Sequence, residues 1–345
     1  MNSESLRVAR WIEDLHNRSA DAGYPNDGAV IAGDMVAADF IEELRDFLDG
    51  QAHVATRDLD PKLLPLRLPK SRLADLERCE RTAVAQAAPL TEPKPLTNEM
   101  FRGAALDRFV VYQLTVGRVL DPVEVLRAMF AAGGEAELLD HMDLMEEADS
   151  TALPSMLDPL ATAVADGWSG IDQVWLPRTQ SRATAAFDDG RAVCSGRLDV
   201  ELGGVVTGLP GVVVEVKSGE PRSEHVAEIY YYALLVALRD RRAPIAMLRW
   251  YPGAAPVIAP VSAELLESVA VRIADSMLIW AALVAGADRS GPDDSGAGDS
   301  GLDDSGAGDS GVGDAQPSEK PGAWCNWCPD ADRCPSSWTT SSMIP

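Results

Sequence analysis

The hydrophobic period of the chain changes near residue 175, and this change restricts the possible folds more than any other feature. Beyond it, short apolar runs bounded by Asp-Asp-Gly and Gly-rich turns indicate strands, and longer runs with helical spacing indicate helices. The strands are predicted at 183–187, 196–202, 212–216 and 245–251, and the helices at 224–239 and 263–284. Strands that alternate with helices predict an α/β fold with a mixed central sheet and flanking helices.

The remaining segments differ in composition, and the chain divides into five regions. Residues 1–60 predict an acidic helical N-terminal region, and 61–170 a helical segment with helices at 101–114 and 121–130. Ser71 is a candidate N-cap of a further helix, with Leu73, Leu76 and Cys79 along one stripe. Residues 171–288 form the α/β core. Residues 289–320 repeat the unit DDSGAGDSG and have too few apolar residues to fold, which predicts a disordered acidic linker. Residues 321–345 form a C-terminal region that contains three tryptophans and three cysteines.

The charge balance limits the possible partners. The 345 residues include 30 Lys and Arg against 54 Asp and Glu, for a formal net charge of −24. A basic nucleic-acid coat protein is excluded, and DNA binding would need a local basic groove. The longest apolar run, 277–287, is about half of the roughly 20 residues that a membrane span needs. No signal peptide is recognisable, so we expect a soluble cytoplasmic protein without membrane partners.

Two carboxylates and a lysine fall on neighbouring predicted strands. Side chains alternate along a strand, so Glu215 and Lys217 are predicted to share one face, and Val216 the other. If the two strands pair through the turn at 203–204, Asp199 approaches Glu215. Converging carboxylates suit a hard cation such as Mg²⁺ or Mn²⁺, and a nearby lysine can assist an attacking water. The alternative is a surface ion pair, since Glu-x-Lys is common by chance.

The cysteines suggest a second site near the C-terminus. Cys325, Cys328 and Cys334 lie within ten residues, and three close thiols need a fourth ligand to complete a tetrahedral zinc site or a cluster. Cys79 and Cys194 are the candidates for that ligand. A Cys-x-x-Cys pair alone is also compatible with a redox pair or with coincidence.

The motifs Gly196-Arg-Leu-Asp199 and Glu215-Val-Lys217, followed by a helix with Tyr232, resemble the RecB-like branch of the PD-(D/E)xK nuclease superfamily. The resemblance implies a restriction-endonuclease-like core over 171–288. It also implies that Asp199 and Glu215 hold Mg²⁺ or Mn²⁺ and that Lys217 assists hydrolysis. The family's Gln-x-x-x-Tyr helix corresponds here to Glu228 and Tyr232, which implies that these residues contact substrate or organise the site. Four arginines near these motifs, Arg178, Arg182, Arg197 and Arg222, are candidates for binding the phosphates of a DNA substrate.

Two positions depart from the family pattern. Asp107, four residues after Gly103, stands where the family has a histidine, and Glu228 stands where it has a glutamine. Asp107 can also ligate a hard metal, so it becomes a third candidate ligand. The same departures are compatible with a weakened catalytic site.

The cysteine order resembles the iron–sulfur branch of these nucleases, which includes CRISPR-associated four-cysteine exonucleases and the AddB nuclease domain. The stretch Ser71-Arg-Leu-Ala-Asp-Leu-Glu-Arg-Cys79 matches the branch's N-terminal pattern, and three cysteines follow the core. The resemblance implies that Cys79, Cys325, Cys328 and Cys334 hold a [4Fe–4S] cluster in a C-terminal Fe–S clasp, residues 321–345. Zn²⁺ on the same thiols is the alternative.

Together these observations predict a metal-dependent DNA exonuclease. A preference for single strands or free ends is implied by the resemblance alone, as is a setting in DNA repair, recombination or CRISPR adaptation. Unwinding would need a helicase partner, because the chain has no helicase motif. A catalytically weakened Fe–S scaffold that binds DNA in a larger complex is the first alternative. A zinc-containing interaction protein without a DNA role is the second.

Overall fold

The structure is a computed structural model that describes residues 7–21, 36–87, 95–221, 224–289 and 317–337. Its α-helices are α1 Val8–Asp21, α2 Ala38–Thr56, α3 Lys70–Arg78, α4 Glu80–Ala87, α5 Asn98–Thr115, α6 Pro122–Gly133, α7 Ala136–Ala148, α8 Ala152–Trp168, α9 Glu224–Asp240 and α10 Ala263–Arg289. Its strands are β1 Leu66–Pro69, β2 Arg178–Phe187, β3 Ala192–Leu202, β4 Val212–Val216, β5 Ala246–Trp250 and β6 Val257–Pro260.

The described residues form two compact units, each assembled from three stretches of chain. Unit 1 comprises those within Met1–Arg45, Glu92–Ala185 and Ser195–Ala270. Unit 2 comprises those within Asp46–Thr91, Ala186–Cys194 and Val271–Pro345. The boundaries pass through α2, β2, β3 and α10.

The sheet of unit 1 is mixed. β3 pairs with β4 in antiparallel register, with Val200 opposite Val214, and β4 pairs with β5 in parallel, with Val214 opposite Leu248. β6 is antiparallel to β5, and β2 pairs with β3. All five residues of β4 are buried, as expected for a strand covered on both faces. A mixed sheet flanked by helices confirms the predicted α/β class.

Aromatic and aliphatic side chains join the helices of unit 1 to its sheet. The core includes Phe101, Phe109, Leu126, Phe130, Leu157, Trp168, Val200, Val214 and Trp250. The rings of Trp168 and Trp250 meet edge to face, with centroids 5.6 Å apart. Gly167 permits this approach of α8, because a Cβ there would lie 2.7 Å from the Trp250 ring. These contacts hold α8 against β5.

Unit 2 is built around α3, α4 and the C-terminal half of α10. β1 reaches the start of β3 through a hydrogen bond from Leu66 N to Arg191 O of 2.8 Å. The guanidinium of Arg72 lies 4.2 Å from the centre of the Trp280 ring, and Arg272 Nε donates to Glu77 Oε1 at 3.0 Å. Both contacts join α3 to α10.

The structure corrects several local predictions. Ser71 is not the N-cap of its helix, because α3 begins at Lys70 after Pro69. The predicted stripe of Leu73, Leu76 and Cys79 is buried, as expected. β2 begins at Arg178, five residues earlier than predicted, and the two four-residue strands β1 and β6 were not predicted.

One helix exceeds the apolar length expected from the sequence. Residues Ala263–Gly286 of α10, 24 in number, are long and apolar enough to cross a membrane, and 56% of the most apolar window is buried inside the fold. A core helix of a soluble protein has this character, so the structure is compatible with a soluble protein. Residues 290–316 of the predicted linker lie outside the described part of the chain.

Candidate active site

The antiparallel pair β3–β4 brings Asp199 to Glu215. Extending the register by one pair beyond Val200 and Val214 places the two acidic residues opposite each other. The Oδ2 atom of Asp199 accepts a hydrogen bond of 2.8 Å from the backbone N of Val216. Asp199 therefore reaches across to β4, as the predicted strand pairing required.

Glu215 and Lys217 form an ion pair on one face of the strand end. Lys217 Nζ lies 2.9 Å from Glu215 Oε1, and the two side chains are 19% and 5% exposed. The backbone N of Lys217 donates to Trp250 O at 3.0 Å, which continues the pairing with β5. The Glu-x-Lys motif is thus an ion pair, but a largely buried one, so the surface interpretation is wrong.

Asp107 on α5 belongs to the same electrostatic group. Burial, together with the negative charge of Glu215, raises the pKa of Asp107 to about 6, and Arg197, Arg108 and Lys217 oppose the rise. Gly103, one turn earlier on α5, faces the residue after Lys217: a Cβ on Gly103 would lie 3.6 Å from Ser218 Oγ. Helix α5 therefore places Asp107 near the C-terminal end of β4.

The tyrosines of α9 pack inward behind β3. Tyr232 is 3% exposed and lies against Gly196, and Tyr231 is fully buried, with its hydroxyl donating to Ser195 O at 3.3 Å. Neither ring presents a face for base stacking, and only Tyr230 is partly exposed. Tyr232 therefore packs inside the fold, between α9 and β3. The side chain of Glu228 lies outside the described structure.

The candidate phosphate-binding arginines separate into two kinds. Arg197 and Arg182 are exposed. Arg178 instead pairs with Glu201, and its Nη2 atom lies 2.6 Å from Oε2 of that carboxylate. Arg222 lies outside the described residues.

Sequence reasoning missed the partners of Glu201. This residue of β3 is 2% exposed, and Arg239 of α9 donates to it at 2.8 Å through Nη1. Arg239 also donates to Asp240 at 2.7 Å. A glutamate between the apolar Val200 and Leu202 near the end of a core strand was the available signal, since a buried carboxylate requires a partner.

The carboxylates have the right chemistry for a hard divalent cation, but they do not form a closed ligand set. Carboxylate oxygens such as those of Asp107, Asp199 and Glu215 are the ligands that Mg²⁺ and Mn²⁺ prefer. Among the described residues, no three His, Cys, Asp or Glu side chains are placed to hold a metal ion. Asp199 is bonded to Val216 N, and Glu215 to Lys217. Joint ligation would require these side chains to rearrange.

Four of the five cysteines line one pocket of unit 2. These are Cys79, Cys325, Cys328 and Cys334. Cys194 is fully buried in β3 and does not line that pocket, as expected for a small core residue. Four thiols in one pocket suit a thiolate-bound metal or cluster. Within the described part of the chain, however, no three of them are placed to hold a metal ion without rearrangement.

Backbone N–H groups form hydrogen bonds to two of these sulfurs, those of Cys79 and Cys325. Gly322 N donates to Cys325 Sγ at 3.5 Å. Burial raises the pKa of Cys79, but hydrogen bonds from the backbone of Lys320, Thr82 and Arg81 outweigh it and lower the pKa overall. Such N–H···S bonds favour the thiolate, the form that binds metals.

Comparisons with known proteins leave the chain without an assigned family. No family model and no curated protein matched it. Among solved structures, the crystal structure of SSO0001 aligns over 86% of this chain and 97% of its own, at 12% sequence identity and a TM-score of 0.33. A TM-score this low supports no conclusion about the fold or function of the chain.

Proposed function

We propose that the chain is a metal-dependent DNA exonuclease of the PD-(D/E)xK type. The observation that supports this best is the group formed by Asp107, Asp199, Glu215 and Lys217 where β4 ends. The three acidic side chains offer oxygen ligands for a divalent metal, and Lys217, in a largely buried ion pair with Glu215, offers a cation, so the group has what metal-dependent phosphodiester hydrolysis can use.

Each residue has a distinct part in this proposal. Asp199, Glu215 and Asp107 would hold Mg²⁺ or Mn²⁺, which when bound activates water and neutralises charge on the phosphate. Lys217 is already oriented by Glu215, and its ammonium can hold the attacking water or the charge that develops on the phosphate. Arg197 is exposed beside the site and can bind a phosphate of the strand.

The cysteine pocket has a structural part in the proposal. Cys79, Cys325, Cys328 and Cys334 would hold a [4Fe–4S] cluster, or Zn²⁺ as the alternative, and so tie α3 to the C-terminal segment. Cys79 lies more than 200 residues before the C-terminal segment, and a group bound by both would stabilise unit 2 because it binds the folded arrangement and not the unfolded chain.

The test is cleavage of end-labelled single-stranded DNA with Mg²⁺ or Mn²⁺, comparing wild type with Lys217→Ala. We expect the substitution to lower the rate by about 100-fold or more, as removal of a group acting on the reacting atoms typically does. Lys62→Ala is the matched control, because Lys62 is 85% exposed, and it should cleave like wild type. Equal rates for wild type and Lys217→Ala would contradict the assigned site.

The carboxylate arrangement also favours a second candidate function. Among the described residues these carboxylates form no closed ligand set, and Asp107 and Glu228 replace the residues of the family pattern. A scaffold that binds DNA ends without cutting them, alongside a helicase or a CRISPR adaptation partner, would have these properties. Tight DNA binding without any metal-dependent cleavage would support it.

A further inference from the structure

Arg81 is placed between Cys79 and the C-terminal segment of unit 2. It lies on α4, two residues after Cys79, and its side chain is 24% exposed. Its Nε donates to Asp330 Oδ2 at 2.6 Å, and its Nη1 donates to Glu319 Oε1 at 2.7 Å. One guanidinium therefore bonds two carboxylates that are 238 and 249 residues away in sequence.

Further hydrogen bonds complete the connection. Arg81 Nη2 donates to the backbone oxygen of Arg333 at 3.2 Å, and the backbone N of Arg81 donates to Ser318 O at 3.4 Å. Glu80 adds a bond from Ser318 N to its Oε2 at 2.8 Å. α4 thus contacts both ends of the cysteine-bearing segment.

The partners of Arg81 bracket the three C-terminal cysteines. Glu319 precedes Cys325, Asp330 lies between Cys328 and Cys334, and Arg333 is directly before Cys334. The carboxylates are 22% and 15% exposed, so the ion pairs are partly shielded from solvent. The planar guanidinium donates in fixed directions, which sets both the distance and the angle of the segment.

We propose that Arg81 is a positioning residue that holds the segment 318–334 on α4, so that its three thiols face Cys79. The inference depends on the proposed four-cysteine site. A lysine cannot reproduce it, because one ammonium lacks the fixed geometry that reaches Asp330, Glu319 and the Arg333 carbonyl together.

The experiment compares wild type with Arg81→Ala, Arg81→Lys and Arg333→Ala in the reduced, metal-free full chain. Zn²⁺ alone is titrated against a chromogenic chelator, and alkylation of each cysteine by iodoacetamide is followed by mass spectrometry. We expect Arg81→Ala to bind Zn²⁺ about 10-fold to 100-fold more weakly, as loss of a group that orients metal ligands typically does. Its C-terminal cysteines should also be alkylated several-fold faster, and Arg81→Lys should recover only part of either loss.

Arg333→Ala is the matched control. Arg333 also pairs with Asp330, at 2.7 Å, but its side chain is 82% exposed and only its backbone oxygen bonds Arg81. It should behave like wild type in both measurements. If circular dichroism shows that Arg81→Ala does not fold, Asp330→Asn is used in its place. This substitution weakens the bond between Arg81 and Asp330 and leaves the bond between Arg81 and Glu319 intact.

The possible outcomes separate the two proposals. If Arg81→Ala has the Zn²⁺ affinity and the alkylation rates of wild type, the positioning role is overturned and the proposed metal site is not contradicted. Wild-type protein that takes up neither Zn²⁺ nor a reconstituted iron–sulfur cluster would contradict the metal site. The alkylation rates of the metal-free proteins would then decide the role of Arg81 alone.

Discussion

At the scale of single residues, Gly196 explains why the Gly-Arg-Leu-Asp strand can accept a tyrosine-bearing helix behind it. A Cβ at position 196 would lie 2.3 Å from Cε1 of Tyr232, far inside van der Waals contact. Tyr232 cannot move freely, because it is 3% exposed and its ring meets that of Tyr231 at a centroid distance of 6.0 Å. Absence of a side chain at 196 therefore sets the spacing between α9 and β3.

Gly196→Ala is expected to destabilise the protein by about 1–3 kcal/mol, the usual cost of overpacking a core contact. Urea unfolding measures the change. Gly50→Ala is the control: it lies within helix α2 with no atom within 4 Å of its new Cβ, so it should be neutral or stabilise by up to about 1 kcal/mol.

A double-mutant cycle tests the cause of the Gly196→Ala effect. In a Tyr232→Ala background the clash is absent, so the added cost of Gly196→Ala should fall below about 0.5 kcal/mol. An undiminished cost in that background would show that backbone conformation, and not the tyrosine ring, requires glycine at 196.

At the scale of elements, strong periodicity made the core of the fold predictable. β4 was predicted at its observed limits, because Val212, Val213, Val214 and Val216 form a short apolar, β-branched run that begins directly after Gly211. β1 and β6 have four residues each and lie next to prolines, so neither gives a periodic signal. Their pairing depends on distant partners, such as Arg191 for Leu66, which a local pattern does not contain.

The candidate site was predictable to a similar degree. Strand alternation correctly predicted that Glu215 and Lys217 share a face, and strand pairing that Asp199 approaches them. The inward packing of Tyr231 and the pairing of Arg178 with Glu201 were not predictable, because both depend on which face of α9 and β2 meets the sheet. The catalytic roles themselves stay predictions.

Glu201 joins three elements of unit 1, and removing it should destabilise them together. On β3 it bonds Arg178 of β2 at 2.6 Å and Arg239 of α9 at 2.8 Å. Glu201→Ala leaves two partly buried arginines without this carboxylate. We expect a loss of about 3 kcal/mol in unfolding free energy, at the lower end for a broken buried pair because both arginines keep some contact with water.

Chemical denaturation checks this value, with Asp143→Ala as the comparison. Asp143 accepts from Arg127 at 2.7 Å, but its side chain is 58% exposed, so its removal should cost no more than about 1 kcal/mol. A similar small loss for Glu201→Ala would mean that hydrogen bonds to water, or from Arg239 to Asp240, replace the bonds to Glu201. The buried carboxylate would then not be essential to the stability of unit 1.

At the scale of the whole molecule, charge is distributed unevenly along the chain. The chain has a formal charge of −24, whereas residues 175–250 have ten basic and nine acidic residues and are nearly neutral. The stretch 290–316 has seven aspartates and no basic residue, so it contributes −7 of the total. A polyanionic substrate approaching the candidate site would be repelled by this stretch wherever the two come within a Debye length, about 10 Å at 0.1 M salt.

Replacing the seven aspartates of 290–316 by asparagine changes the net charge from −24 to −17 and keeps the chain length. If the proposed DNA binding is correct, this variant should bind single-stranded DNA about threefold or more tightly at about 50 mM salt, and the gain should shrink at about 200 mM because salt screens the repulsion. Fluorescence anisotropy with a labelled oligonucleotide measures both affinities. A variant with the five serines of this stretch changed to asparagine controls for the substitution itself and should bind like wild type. Equal affinity of the aspartate variant and wild type at low salt would exclude an electrostatic role for the stretch, and weaker binding would indicate that its carboxylates help to hold the DNA, for instance through a shared cation.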